Sequence, residues 1–163
     1  MKTFIFIPDT NKKAGLGHLS RCYKYSNFVN KNYEIIFLIK KNFNKKFLIK
    51  KNLKNRNIRY IFFSNLETSL NLIKTDYDYI ITFLDTYNSK IRGIDFKKFS
   101  NKHVVILDFK TKCKSDFAID HTFGRDYNYH KNKKTLIGVK NFPFYSKLKF
   151  TNRIRKFIDL DRK

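Results

Sequence analysis

The chain is organised as a series of short, unbroken apolar runs, each followed by a polar or helix-patterned stretch. The expected strands fall at residues 3–7, 33–40, 58–63, 77–85, 102–108 and 135–140, with residues 115–123 as a further, shorter candidate. They do not alternate apolar with polar. A strand buried on only one face alternates, whereas a strand buried on both faces reads as a continuous apolar run. Between the early runs, apolar residues recur near the 3.6-residue period of a helix. Leu19, Tyr23, Phe28 and Val29 mark a helix over residues 17–30, and Phe47, Leu48 and Leu53 mark a basic one over 44–55. Residues 64–74 begin Ser-Asn-Leu-Glu, a capping-box pattern in which Ser64 faces Glu67. Residues 87–99 read as loop with a short helix, and residues near the C-terminus, Arg-Ile-Arg-Lys-Phe-Ile-Asp-Leu, as a terminal helix. Strands that alternate with helices form βαβ units. The expected fold is therefore α/β, a single Rossmann-like domain with a mostly parallel sheet and helices on both faces.

Composition supports a packed core and narrows the function classes. At 163 residues, with 42% hydrophobic and 17% aromatic residues, one domain with a real core is expected. No apolar stretch reaches the ~18 residues of a membrane span. The start of the chain lacks the longer apolar region and cleavage site of a secretory signal. These features predict a cytoplasmic protein. Cys22 and Cys113 fit no redox or metal spacing and are read as free thiols. His103, His121 and His130 stand apart and form no metal-ligand pattern.

Charge opens a second line. Lys and Arg number 36 against 13 Asp and Glu, a formal net charge of +23. Such a balance points to polyanions, either an acidic membrane surface or nucleic acid. Lys40, Lys41, Lys45, Lys46, Lys50, Lys51 and Lys54 form the densest patch. Each such residue near an anionic leaflet is worth ~1 kcal/mol. The aromatics that could stack on nucleic-acid bases fall mostly in the expected strands, where core packing accounts for them. A genome rich in A and T would also raise Lys, Asn, Ile, Phe and Tyr on any fold, and both explanations of the charge stand at this point.

In an open parallel sheet, ligands bind at the carboxyl ends of the strands, near the point where the strand order reverses. Several segments deliver polar groups to that edge: the loop from Asp9 to His18, then Asp85-Thr86-Tyr87, then Asp108. In the first loop, Gly15 and Gly17 allow close approach of backbone and ligand. The helix start offers unpaired N–H groups for phosphate or carboxylate. His18 at that point suits a neutral base near pH 7. Arg21, one turn on, can pair with an acidic group or hold the loop. Glycines also occur in βα loops simply to make the turn, and an Asp after a strand commonly caps a helix. The dinucleotide fingerprint is not completed, because Ser20 stands where its third Gly would be, and the Walker A pattern is absent.

Residues 14–22, Ala-Gly-Leu-Gly-His-Leu-Ser-Arg-Cys, resemble the first loop of the nucleotide-sugar hydrolases of pseudaminic acid biosynthesis and the related spore-coat and flagellar polysaccharide proteins. Gly15, Gly17, His18 and Arg21 match its G-x-G-H-x-x-R pattern. Asp85 and Tyr87 match a later Asp-x-Tyr motif, Asp108 a following strand-end Asp, and residues 138–150 a closing segment. Lys147 stands roughly where that family often has Arg. The resemblance implies one half of a glycosyltransferase-B architecture. Residues 1–150 would be its N-terminal-type domain and residues 151–163 a short helical tail where the second domain starts. It implies hydrolysis of a UDP-activated amino sugar for surface glycans. His18 would activate water, and Tyr87 would position sugar or water. Gly15, Gly17, Arg21, Asp85 and Asp108 would bind or support the substrate. No cofactor and no metal enters this reading. Its partners are a nucleotide-sugar substrate and a separate C-terminal-type domain. The alternatives are a non-catalytic basic module peripheral to the inner face of a membrane, and a scaffold half that completes a partner's site. Nucleic acid is the weaker of the polyanion readings.

Overall fold

In a computed structural model of the chain, residues 1–11, 16–44, 48, 58–107, 114–122 and 134–137 are described. They form one parallel seven-stranded sheet, ordered β3-β2-β1-β4-β5-β6-β7. The strands are β1 (Lys2–Pro8), β2 (Glu34–Lys40), β3 (Ile58–Phe63), β4 (Tyr79–Asp85), β5 (Lys102–Ile106), β6 (Phe117–Asp120) and β7 (Lys134–Ile137). The helices are α1 (Gly17–Ser26), α2 (Leu66–Asp76) and the single-turn α3 (Ser89–Arg92), followed by a 3₁₀ turn at Phe96–Lys98. The α/β expectation holds, and every pairing in the sheet is parallel.

The continuous apolar runs have the expected cause, since both faces of the sheet are covered. Phe4, Phe6, Phe37, Phe83, Ile106 and Ile119 lie on one face and pack with Leu19, Cys22, Tyr23 and Tyr25 of α1. Ile5, Ile7, Leu38, Leu84 and Val105 lie on the other and pack with Leu66, Leu70 and Ile73 of α2 and with Phe96 and Phe99. Aromatic rings fill the first face. Phe6 lies 5.0 Å from Phe37 and 5.2 Å from Phe83 between ring centroids, and Tyr25 lies 4.9 Å from Phe83. Such offset and tilted pairs add to simple area burial. On the second face, Thr82 Oγ1 bonds His103 Nδ1 at 2.9 Å, and the imidazole stacks on Phe96 at 4.1 Å.

Boundaries differ from expectation in instructive places. The Ser64–Glu67 capping box does not form. Asn65 is the N-cap of α2, and its side chain accepts the Thr68 N–H at 3.2 Å. Asn caps as well as Ser, so the helix starts one residue later and Glu67 stands in the first turn, where it suits the helix dipole. The first helix closes at Ser26 rather than residue 30, and the sixth strand is limited to Phe117–Asp120. Among the described residues no helix is long and apolar enough to cross a membrane. Of the basic helix expected at residues 44–55, only Asn44 and Leu48 are described, and Leu48 is helical and buried. Most of the Lys40–Lys54 patch, Gly15, Asp108, Cys113, His130, the closing segment at 138–150 and the tail at 151–163 lie outside the described residues.

Candidate functional site

The strand order runs outward from β1 in one direction and from β4 in the other. The crevice at such a reversal, beyond the carboxyl ends of the strands, is where α/β sheets of this kind bind ligands. β1 and β4 are aligned so that Pro8 pairs with Asp85, and the Asp9 N–H continues the ladder to the Asp85 carbonyl at 2.6 Å.

Strand geometry decides where Asp85 points. Side chains alternate across a sheet, so Asp85 falls on the same face as Ile81 and Phe83, the face that α1 covers. Helix geometry brings two polar side chains to meet it. His18 and Arg21 are three residues apart in α1 and therefore share one side of the helix. His18 Nδ1 lies 2.6 Å from Asp85 Oδ1. Arg21 donates from Nε to Oδ2 at 2.7 Å and from Nη2 to Oδ1 at 2.5 Å, a side-on bidentate clamp. The assembly is enclosed, with His18 5% and Asp85 1% exposed. Burial pushes the Asp85 carboxyl up. The hydrogen bonds from His18 and Arg21, with the Arg21 charge, outweigh that and hold it below the usual carboxylate value.

An ionised carboxylate only accepts hydrogen bonds. Nδ1 of His18 must therefore carry the proton. The Arg21 Nη2 atom, 3.2 Å from Nδ1, is a second donor to the same oxygen and not a partner for the ring. When the imidazole is neutral, its lone pair is therefore on Nε2, which has no hydrogen-bond partner among the described residues. A carboxylate behind Nδ1 and a free Nε2 is the arrangement of an oriented general base.

Tyr87 follows two residues after Asp85. Its ring meets the His18 ring edge-on, with centroids 4.7 Å apart and planes at 84°. The guanidinium carbon of buried Arg92, in α3, lies 5.7 Å from the Tyr87 ring centroid. Tyr87 is 48% exposed, so His18 is bordered by an open aromatic ring. At Gly17 the backbone φ is not positive. A Cβ there would meet nothing within 4 Å among the described residues. Left-handed backbone geometry is therefore not what requires a glycine at this position.

Of the residues expected at the site, the structure brings together His18, Tyr87, Arg21 and Asp85, with Gly17 at the first position of α1. Arg21 bonds Asp85, and Asp85 also bonds His18. Cys22 completes the underside, its Sγ 4.0 Å from Asp85 Oδ2. Burial and the neighbouring carboxylate push its thiol pKa well up, so it stays a thiol and not a nucleophile. Sequence reasoning placed Asp9 only at the start of the loop. It did not connect Tyr25 with His121, whose Tyr25 Oη–His121 Nε2 contact of 2.5 Å joins α1 to the end of β6. No local spacing signals that pair. Among the described residues, no group of His, Cys, Asp or Glu is arranged to hold a metal ion.

The fold and this constellation define an α/β domain of Rossmann-like type with an oriented histidine at its switch point. Comparisons with protein-family models, with curated proteins and with solved structures found no significant match to the chain.

Proposed function

We propose that this chain is the N-terminal-type half of a glycosyltransferase-B-like enzyme that hydrolyses a nucleotide-activated amino sugar, with His18 as the general base. The observation that carries the reading is the 2.6 Å contact between His18 Nδ1 and the buried Asp85 carboxylate, at the reversal of the strand order. With Nδ1 bound to the carboxylate, Nε2 is the ring nitrogen left to act as the base. In the proposed step, Nε2 takes a proton from water and the water oxygen bonds to the anomeric carbon. The bond from that carbon to the nucleoside diphosphate oxygen breaks, and the diphosphate leaves with the electron pair. Asp85 stabilises the imidazolium that forms, as the carboxylate does in other His-centred sites. The exposed Tyr87 ring lies against the base, within reach of a sugar or the water.

The resemblance of residues 14–22 to the hydrolases of pseudaminic acid biosynthesis supports the same class. In that architecture a second domain supplies most nucleotide contacts, so the test requires a C-terminal-type partner. Release of UDP from an amino-sugar nucleotide is followed in the reconstituted pair. His18→Gln is expected to lower the rate by ~10²–10⁴, the usual contribution of a general base. Full activity in that variant would remove the reading.

A further inference from the structure

We infer that Asp9 is the positioning residue that holds Tyr87 against His18, so that the ring bordering the base is set by a carboxylate directly beyond the neighbouring strand. This rests on the reading of His18 as the functional base. Asp9 is 3% exposed, directly beyond β1. Its Oδ2 accepts from Thr86 Oγ1 at 2.8 Å and from the Tyr87 backbone N–H at 3.3 Å. Its Oδ1 accepts the Asn11 N–H at 3.1 Å. These donors are all neutral, and among the described residues no cation pairs with this carboxylate.

A buried carboxylate held only by neutral donors is costly to desolvate compared with an apolar side chain. Its geometric effect is specific. Thr86 Oγ1 passes the connection on, accepting the Asn88 N–H at 3.0 Å, and the Asn88 side chain caps α3 by accepting the Lys90 and Ile91 N–H groups. From α3, Arg92 Nε returns to the Thr86 carbonyl at 2.5 Å while its guanidinium lies by the Tyr87 ring. The segment between β4 and α3 is therefore tied at its first residues to β1 through one side chain. Tyr87 is half exposed, so burial alone does not fix its ring. The Asp9 acceptor fixes the backbone from which the ring projects.

The proposal separates two supports of His18. Asp85 sets the tautomer, and Asp9 sets the neighbouring ring. Nuclear magnetic resonance of the isotopically labelled chain reads both without any substrate. The two-bond ¹H–¹⁵N pattern of the imidazole reports the tautomer, and the His18 ring-proton shifts report the Tyr87 ring current, with His18→Gln for assignment and Tyr87→Leu as the reference for a lost ring. Asp9→Asn places an NH₂ against a neighbouring donor and cannot satisfy all of its present partners. It is expected to move the His18 ring protons most of the way to their Tyr87→Leu positions while the Nδ1–H tautomer persists. Thr86→Val, which removes one donor to Oδ2, is expected to give a smaller displacement in the same direction, and it carries the test if Asp9→Asn does not fold. Wild-type His18 shifts in Asp9→Asn, or in Thr86→Val if that is the variant that folds, would overturn the proposal. Absence of UDP release with these shifts still coupled to Asp9 would instead count against the hydrolase reading alone.

Discussion

Asp85 gathers an imidazole and a guanidinium on one enclosed carboxylate, and acid is the condition that tests its contribution. Its folded-state pKa lies below the ordinary value because the His18 and Arg21 hydrogen bonds overcome burial. A depressed carboxyl contributes stability that is fully present above its unfolded value of ~3.9 and is lost as pH falls through the lower folded value. Replacing Asp85 by Asn removes the buried carboxylate that His18 and Arg21 both bond, and breaking such a pair costs on the order of 3–5 kcal/mol. Thermal melts at neutral pH are expected to show a large loss for Asp85→Asn. The gap between variant and wild type should narrow toward pH 3. A constant gap across that range would show that Asp85 acts through packing and not through its charge. At this scale His18 and Arg21 were legible in the sequence, because helix periodicity alone puts residues three apart on one side. Their common partner was not. Asp85 is 67 residues from His18, and only the packing of α1 onto the β4 face brings them together. Asp9 was equally silent, since its partners Thr86 and Tyr87 lie across a strand pairing that no local pattern encodes.

The first helix begins without side-chain help. Leu16 at its N-cap makes no side-chain hydrogen bond, and no acidic residue stands in its first turn. α2, by contrast, is capped by Asn65 and carries Glu67. The start of α1 therefore presents backbone N–H groups that no side chain of its own cap covers, beside His18. Gly17 sits at that point with ordinary backbone geometry, and among the described residues nothing lies within 4 Å of where a Cβ would stand. Gly17→Ala is expected to leave the fold intact and to raise stability by up to ~1 kcal/mol, because glycine loses more conformational freedom in a helix than alanine does. A fall in turnover together with an unchanged or higher melting temperature would mean that substrate needs the space beside the helix start. A fall in both would mean that glycine is needed by the chain itself. The helix and strand types were largely legible, because continuous apolar runs and 3.6-residue periodicity differ clearly. The cap of α2 was misplaced by one residue, since Ser64 and Asn65 are both good caps and sequence spacing does not rank them.

Across the molecule, the two faces of the sheet share their strands, so a loss on one face weakens the whole unit. Phe83 is central to this: it is fully buried in β4 and touches the rings of Phe4, Phe6 and Tyr25. Phe83→Ala is expected to destabilise the chain by ~3–5 kcal/mol through lost burial and the cavity left behind. Urea unfolding would register this as a lower midpoint with an unchanged slope. A changed slope would indicate that the two faces unfold separately. The sequence by itself determined the class of the fold, because strands written as unbroken apolar runs can only be satisfied by cover on both faces. It also determined that polar residues collect where those strands end. The tertiary structure alone decided the strand order, and with it that the reversal falls between β1 and β4. It decided that Asp85 faces α1, that its carboxylate fixes the His18 tautomer, and that Asp9 reaches the Tyr87 backbone. The physical reason is range. Periodicity is a local property of the chain, whereas the site is made of hydrogen bonds between segments that meet only after the strands have paired.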